Sequence, residues 1–325
     1  MEYGEDGKLI LQGHEWRDFW VMIPEKLLED DVPIAFVQHG LNSWKETMYG
    51  MGKDFVARGY VVAAFDFLHH KKNNEGGWDF VVIEKIGVTR DNFRQCALEY
   101  YAFVHGLKQL LGLDIQTLLP LPVLTGTVDF ERIVITGHSL GAIESALMAP
   151  LYEDEALVGL LNAGANLQYL MMGFLKDTGL YDLAPCDMLH GLRVIASHVM
   201  SPMDPGIMAR YVYEEPPAGV PPKPYLLEIG LNDGTVYWET GYDLARALGS
   251  PLLDPCTECW PYLDVVPAST TQVGTVQLDG DHNFFFGSDG AAIKAQAQGI
   301  YYNFMETGMA DGSPELIWPV GGEGQ

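Results

Sequence analysis

FERIVITGHSLGAIESALMAPL, residues 130–151, changes its hydrophobic period half-way along. Phe130 to Thr136 is apolar and β-rich around Ile133, Val134 and Ile135, with poor alternation, and reads as a strand buried on both faces. From there on, Leu140, Ile143, Ala146, Leu147 and Leu151 recur at helical spacing. Between the two lies Gly137-His138-Ser139-Leu140-Gly141. The bare G-x-S-x-G pattern is weak in a chain with 36 glycines, so its place between a strand and a helix has to give it meaning. Such a turn is strained, needs small residues at both ends, and lifts a serine hydroxyl above the sheet edge where it can act as a nucleophile. The plain alternative is an ordinary strand-to-helix turn that happens to hold a serine.

Outward from this stretch, strand-like runs alternate with helical patterns. Strands are expected at 17–23, 33–39, 60–67, 130–136, 157–161, 225–230 and 273–278, and helices at 45–58, 89–111, 140–151, 236–248 and 290–306. This alternation predicts an α/β fold with a mostly parallel central sheet flanked by helices. About sixty residues separate the strand near 161 from the one near 225, too many for a plain strand-to-helix connection. This insertion, residues 162–224, holds the apolar LQYLMMGFL (167–175) and ends in the Pro-rich EEPPAGVPPKP (214–224). It reads either as an added core helix or as a small cap whose pliable Met171 and Met172 line a substrate pocket.

A serine is a poor nucleophile until a base takes its proton, and the base needs a carboxylate to orient it. Outside the elbow, only His190, His198 and His282 follow Ser139 in the chain. His282, in VQLDGDHNFFFG, comes directly after the last expected strand, whereas His190 and His198 have no strand end to present them. PYLLEIGLNDGTV places Asp233 after the preceding strand, and Asp233 is the expected acid. Asp204, in SPMDPG, is the reserve, with a turn-forming aspartate before proline as its plain reading. LLNAGAN offers Asn162 and Asn166 at the alternative acid position, not a carboxylate, and Asp281 is read as shaping the loop of His282.

A tetrahedral intermediate also needs donors for its oxyanion. The N–H of Leu140, at the positive end of the helix, is one candidate, and the N–H of Leu41, after His39-Gly40, is the other. His39 is read as a hydrogen-bonding group rather than a second base. Trp44 and Phe284, the latter first in Phe284-Phe285-Phe286, are candidate walls of the substrate site. His69-His70-Lys71-Lys72 reads as a solvated loop, and Glu153-Asp154-Glu155 as a solvated helix end.

At 325 residues and 48 % hydrophobic, the chain suits one α/β domain with an insertion. A formal charge of −25 argues against nucleic acid or an anionic membrane as partner. No apolar window of about 20 residues predicts a membrane span. MEYGEDGKLI lacks the order of a signal peptide, which leaves a cytoplasmic protein or an extracellular or cell-surface one whose signal has been removed. Cys256 and Cys259 form a CxxC that reads as a local disulfide or as a zinc half-site without its second pair, and Cys96 reads as a buried small hydrophobe.

His39-Gly40, Gly137 to Gly141, Asp233 and His282 stand in the chain order of the α/β-hydrolases, which the sequence resembles over residues 17–306. A nearer resemblance is to the bacterial extracellular or virulence-factor lipases. It is carried by FVQHGLNSWKE, GYVVAAFDFLHH, TRDNFRQ, GHSLGA, MDPG and PYLLEIGLND. The resemblance implies a serine esterase or lipase with the triad Ser139, Asp233 and His282, acting on a small-molecule or lipid ester without cofactor or metal. A serine amidase or peptidase on the same fold and a polyester hydrolase are the rival enzymes. A binding module that keeps the fold is the rival outside catalysis, although such modules typically lose one member of the triad.

Overall fold

Seven apolar runs become neighbours in one sheet. The computed structural model describes residues 12–25, 30–70, 77–112, 126–177, 185–267 and 272–318, with positions 4, 8, 10, 179, 269 and 270. The elements are β1 (Phe19–Met22), β2 (Val32–Gln38), α1 (Tyr49–Ala57), β3 (Val61–Phe65), α2 (Ile86–Gly112), β4 (Val128–His138), α3 (Leu140–Met148) and β5 (Leu157–Leu161). After these come α4 (Leu167–Asp177), α5 (Cys186–Met200), the single turn α6 (Pro205–Met208), β6 (Tyr225–Gly230) and α7 (Trp238–Leu248). The chain continues with β7 (Leu252–Leu253), β8 (Val265–Val266), β9 (Ser269–Thr270), β10 (Val273–Leu278), α8 (Ala291–Asp311) and β11 (Leu316–Ile317).

Nine strands form one sheet in the order β1-β3-β2-β4-β5-β6-β10-β7-β8, and β9 and β11 pair separately. Only β1 runs antiparallel to its neighbour in the large sheet. The central strands are apolar throughout because both faces are covered, as a parallel sheet with crossover helices requires. On one face Phe93 and Tyr100 of α2, Ile143 and Leu147 of α3 and Leu244 and Leu248 of α7 pack on Phe36, Ile135 and Leu227. On the other, Met51 and Phe55 of α1 and Ile300, Tyr301 and Phe304 of α8 pack on Val37, Val134 and Leu226. Cys96 is free and fully buried in α2, as its helix pattern predicts.

The register decides where a site can be. Gln38 pairs with Gly137, His138 with Leu161, Leu161 with Glu228, and Gly230 with Leu278. The carboxyl ends of β2, β4, β5, β6 and β10 therefore lie level, and the residues that follow them collect on one edge, where open α/β sheets bind ligands. The insertion joins the first face of the core through Leu167, Met200, Ala209 and Val212, with Leu170 and Met171 packed against them. Residues 178 and 180–184 of the insertion, and Lys71 and Lys72, lie outside the described residues. Among the described residues no helix is long and apolar enough to cross a membrane.

Candidate active site

Ser139 sits at φ 57° and ψ −122°, between the end of β4 and the first turn of α3. A non-glycine residue there is strained, and the surroundings impose it. The Ser139 N–H donates to Leu161 O at 2.9 Å, while Ala142 and Ile143 both donate to Ser139 O at 3.0 Å. The flanking glycines are fixed by contact. A Cβ on Gly137 would lie 2.4 Å from the Gly141 carbonyl carbon, and one on Gly141 would lie 2.3 Å from Gln38 O. This is the strand-to-helix elbow that the sequence predicts.

His282 follows β10 and Asp233 follows β6, and their side chains meet. His282 Nδ1 donates to Asp233 Oδ2 at 2.7 Å, with the carboxylate completely buried and the imidazole 16 % exposed. The other carboxylate oxygen accepts from Thr235 N at 2.7 Å and Val236 N at 2.9 Å, so Asp233 is immobilised on both sides. With Nδ1 held by Asp233, Nε2 is the ring nitrogen turned to other partners. Ser139 and His282 line the same cavity.

Two further side chains hold His282. His282 O accepts from His138 Nε2 at 2.6 Å and from Asn162 Nδ2 at 2.8 Å, and Asn162 Oδ1 accepts from Gly230 N at 2.8 Å. Asn162 reaches both partners from a left-handed conformation, φ 50°, directly after β5. The His138 ring lies 4.6 Å from that of His282. Burial, and secondarily the neighbouring His282, push the His138 pKa down to about 3, so it stays a neutral donor. Neither residue is an obvious candidate in the sequence: His138 is the variable position of the motif, and Asn162 marks only the lack of a carboxylate after β5.

The loop after β2 approaches the serine closely. A Cβ on Gly40 would lie 3.2 Å from Ser139 Cβ, so a larger residue would crowd Ser139. His39 anchors this loop by donating from Nδ1 to Gly40 O at 2.8 Å and accepting at Nε2 from Phe67 N at 3.1 Å. Burial, with His70 adding to it, pushes its pKa down to about 3, which makes it the neutral hydrogen-bonding group expected. Lys45 anchors the far side of the loop, with N and Nζ on the two oxygens of Asp66 at 2.8 and 2.7 Å. Leu41 lines the cavity beside Ser139 and His282, and Leu140 opens α3, where first-turn N–H groups have no intrahelical acceptor.

Comparison with solved structures reaches the same architecture. The acylaminoacyl peptidase of Pyrococcus horikoshii superposes with a TM-score of 0.52 at 17 % identity, covering 90 % of this chain and 39 % of the other. An acylaminoacyl peptidase bound to Z-Gly-Gly-Phe-chloromethyl ketone gives 0.53, 17 %, 90 % and 39 %. The chain has the α/β-hydrolase fold. It spans about two-fifths of the length of those two peptidases. An esterase from Thermogutta terrifontis, Est2, aligns over 90 % of both chains at 19 % identity with a TM-score of 0.49, too low to add weight. No protein-family model and no curated protein matches the sequence, and the nearer resemblance to bacterial extracellular lipases gains no support.

On this α/β-hydrolase scaffold the expected substrate walls separate. Met171 lines the cavity of Ser139, together with Leu167 and Leu170 of the same helix, but Met172 does not, because adjacent helix positions point about 100° apart. Phe284 is fully buried under the base loop, against Gly230 and Gly280, and Phe286 is the member of the triplet that faces the site. Trp44 lines neither cavity at Ser139; it precedes the short helix Lys45–Met48 and its carbonyl accepts from Thr47 Oγ1 at 2.7 Å.

The remaining candidates are structural. Asp204 caps α6 and accepts from Asn166 N, Leu167 N and Gly206 N at 2.7–2.8 Å, which makes it a bracket for the insertion and not an acid for His282. His190 and His198 are exposed on α5. Asp281 accepts from Asn283 N at 2.7 Å and Ser288 Oγ at 2.5 Å and shapes its loop as expected. His70 departs from the solvated loop expected of its run: it is buried beside His39 and Phe80, whereas His69 is exposed. Cys256 and Cys259 form a disulfide with Cα atoms 5.5 Å apart, and the described residues contain no group of three ligands suited to a metal.

Proposed function

We propose that the protein is a serine hydrolase that cleaves carboxylic esters through an acyl-enzyme. One observation carries the reading: a serine at φ 57° shares a cavity with an imidazole whose Nδ1 is held 2.7 Å from a buried carboxylate. Ser139 Oγ attacks the ester carbonyl carbon as its proton passes to His282 Nε2. The C–O bond then breaks, and the same proton leaves with the alcohol. Water repeats the sequence, giving its proton to His282 and its oxygen to the acyl carbon, so that the carboxylic acid departs and Ser139 is regenerated. Asp233 keeps the imidazole in the useful tautomer, and the N–H groups of Leu140 and Leu41 stabilise the oxyanion, each worth about 10²–10³ in rate. No step calls for a metal or cofactor.

An amide is the second reading, because the acyl-enzyme chemistry is shared and the two structures that superpose at 0.52 and 0.53 are acylaminoacyl peptidases by name. A polyester would need an open cleft, and the walls contributed by Leu167, Leu170 and Met171 speak against it. Labelling with a fluorophosphonate, alongside hydrolysis of p-nitrophenyl esters from acetate to palmitate and of anilides, tests the proposal. Wild type is expected to be labelled and to turn over esters faster than anilides, with Ser139→Ala losing the label and roughly 10⁶ in kcat. An Ala variant that kept its rate would sink the assignment.

A further inference from the structure

Two cavities, the second richer in polar side chains than the first, meet at the reacting atoms, with Leu41, Ser139 and His282 lining both. One, of about 250 Å³, is walled by Phe80, Val81, Phe93, Ile143, Leu170 and Met171. Its polar side chains besides Ser139 and His282 are Asn42, Thr89 and Thr235, and the Thr89 hydroxyl is already committed, accepting from Val82 N at 2.8 Å and donating to Val82 O at 3.1 Å. The other, of about 460 Å³, is walled by the apolar Met48 and Phe286 and by the polar Ser43, Thr47, His138, Asn283 and Ser288. Ser43 and Thr47 share a hydrogen bond of 2.6 Å, and Thr47 Oγ1 donates onward to Trp44 O, so Ser43 is the donor of the pair and keeps acceptor capacity for a ligand.

We infer that the substrate is divided at Ser139, with a compact apolar acyl group in the smaller cavity and a hydrogen-bonding alcohol or amine half in the larger one. The inference rests on the serine-hydrolase reading and adds the direction of the substrate. The direction follows from where the proton goes. The leaving oxygen must take it from His282, and the larger cavity is built from the base's own loop, through Asn283, Phe286 and Ser288. The acyl carbon stays bonded to Ser139 Oγ, and the smaller cavity is built along α3, the helix Ser139 opens, through Leu140 and Ile143. An acyl chain among Phe93, Ile143 and Met171 loses only apolar contact with water. A polyhydroxylated alcohol placed there would have only Asn42 and Thr235 to pair with, since Thr89 is committed, whereas the larger cavity offers Ser43, Thr47, Asn283 and Ser288.

A pair of isomers tests the direction with bulk hydrophobicity held constant. Ethyl hexanoate and hexyl acetate have the same formula and carry the long chain on opposite sides of the ester. Each methylene seated in an apolar pocket is worth about 10- to 200-fold in kcat/KM at best, so ethyl hexanoate is expected to exceed hexyl acetate by at least about tenfold. Exchanging the propyl group of propyl hexanoate for 2-hydroxyethyl should raise kcat/KM, and Met171→Trp should lower the ratio of ethyl hexanoate to ethyl acetate by about tenfold. Fluorophosphonate labelling of Ser139 on the same preparation separates the two claims: an unlabelled serine fails the hydrolase reading itself. With Ser139 labelled, equal rates for the isomers or a preference for hexyl acetate overturn the division. If the labelled protein leaves both esters intact, N-ethylhexanamide and N-hexylacetamide make the same comparison for amides, and turnover of neither also overturns it.

Discussion

His282 is held at both ends: its ring by Asp233 at 2.7 Å, its carbonyl by His138 at 2.6 Å and Asn162 at 2.8 Å. A general base works only within hydrogen-bond reach of the proton it moves, and a displacement of about 1 Å can cost 10²-fold. On the proposed mechanism Asn162 is a positioning residue. It ties the loop of His282 to Gly230, at the end of the strand that leads to Asp233. Asn162→Asp keeps a side chain that tolerates the left-handed backbone and can still accept from Gly230 N, but it turns the donor facing His282 O into a second acceptor. Expected is a fall in kcat of about 10- to 100-fold per fluorophosphonate-titrated site, with KM for the same ester little changed. If the variant lost only thermal stability and kept kcat, Asn162 would be a structural residue and nothing more.

The elbow acts as an element because its glycines belong to two layers at once. Gly141 touches the carbonyls of Gln38 and His39, with a Cβ placed 2.3 and 2.7 Å from their oxygens, so the helix of the nucleophile and the loop of Leu41 are packed through that point. Backbone on both sides cannot rotate away as a side chain could. Gly141→Ala is expected to cost about 1–3 kcal/mol and to lower ester turnover, because the loop that presents the Leu41 N–H must shift. Gly106→Ala, in the exposed middle of α2 with nothing within 4 Å, should instead stabilise by up to about 1 kcal/mol; thermal melts of the pair separate contact from helix propensity. Such layering also explains what the sequence could convey. β4, β5, β6 and β10 are runs of apolar residues long enough to announce themselves, and 157–161, 225–230 and 273–278 are found at their expected limits. The two-residue strands β7, β8, β9 and β11 have no local signal, since pairing alone creates them. Chain order after strand ends was enough to bring Ser139, Asp233 and His282 to one edge. The choice of Met171 over Met172, or of Phe286 over Phe284, depends on how a helix or turn is rotated when it docks, which no local pattern encodes.

At the scale of the molecule, burial disfavours the charged form of two histidines and two glutamates. His39 and His138 are held down to about 3, while Glu144 and Glu228 are pushed well above the usual carboxylate range by burial. Neither oxygen of either glutamate has a hydrogen-bond partner among the described residues. Their effects on stability have opposite sign. Below about 6.5 the unfolded chain protonates the histidines and the native one does not, so stability drops as pH falls from there towards 3. Above about 4.3 the unfolded chain releases the glutamate protons while the native one retains them, so stability drops as pH rises. Between those limits the two pairs oppose each other, and above about 6.5 only the glutamates still pull, joined by the self-repulsion of a chain with net charge −25. Comparison of variant with wild type isolates the glutamate part, because repulsion among the other charges is common to both. Glu228→Gln keeps shape and cannot ionise, so its stability advantage over wild type should grow as pH rises from 5, and level off once the pH passes the raised pKa of Glu228 in the folded protein. Denaturant melts of the two proteins at pH 5, 6, 7 and 8 give that trend directly. A constant difference across the series would mean that Glu228 is ionised in the folded protein, with a counter-charge or water beside it.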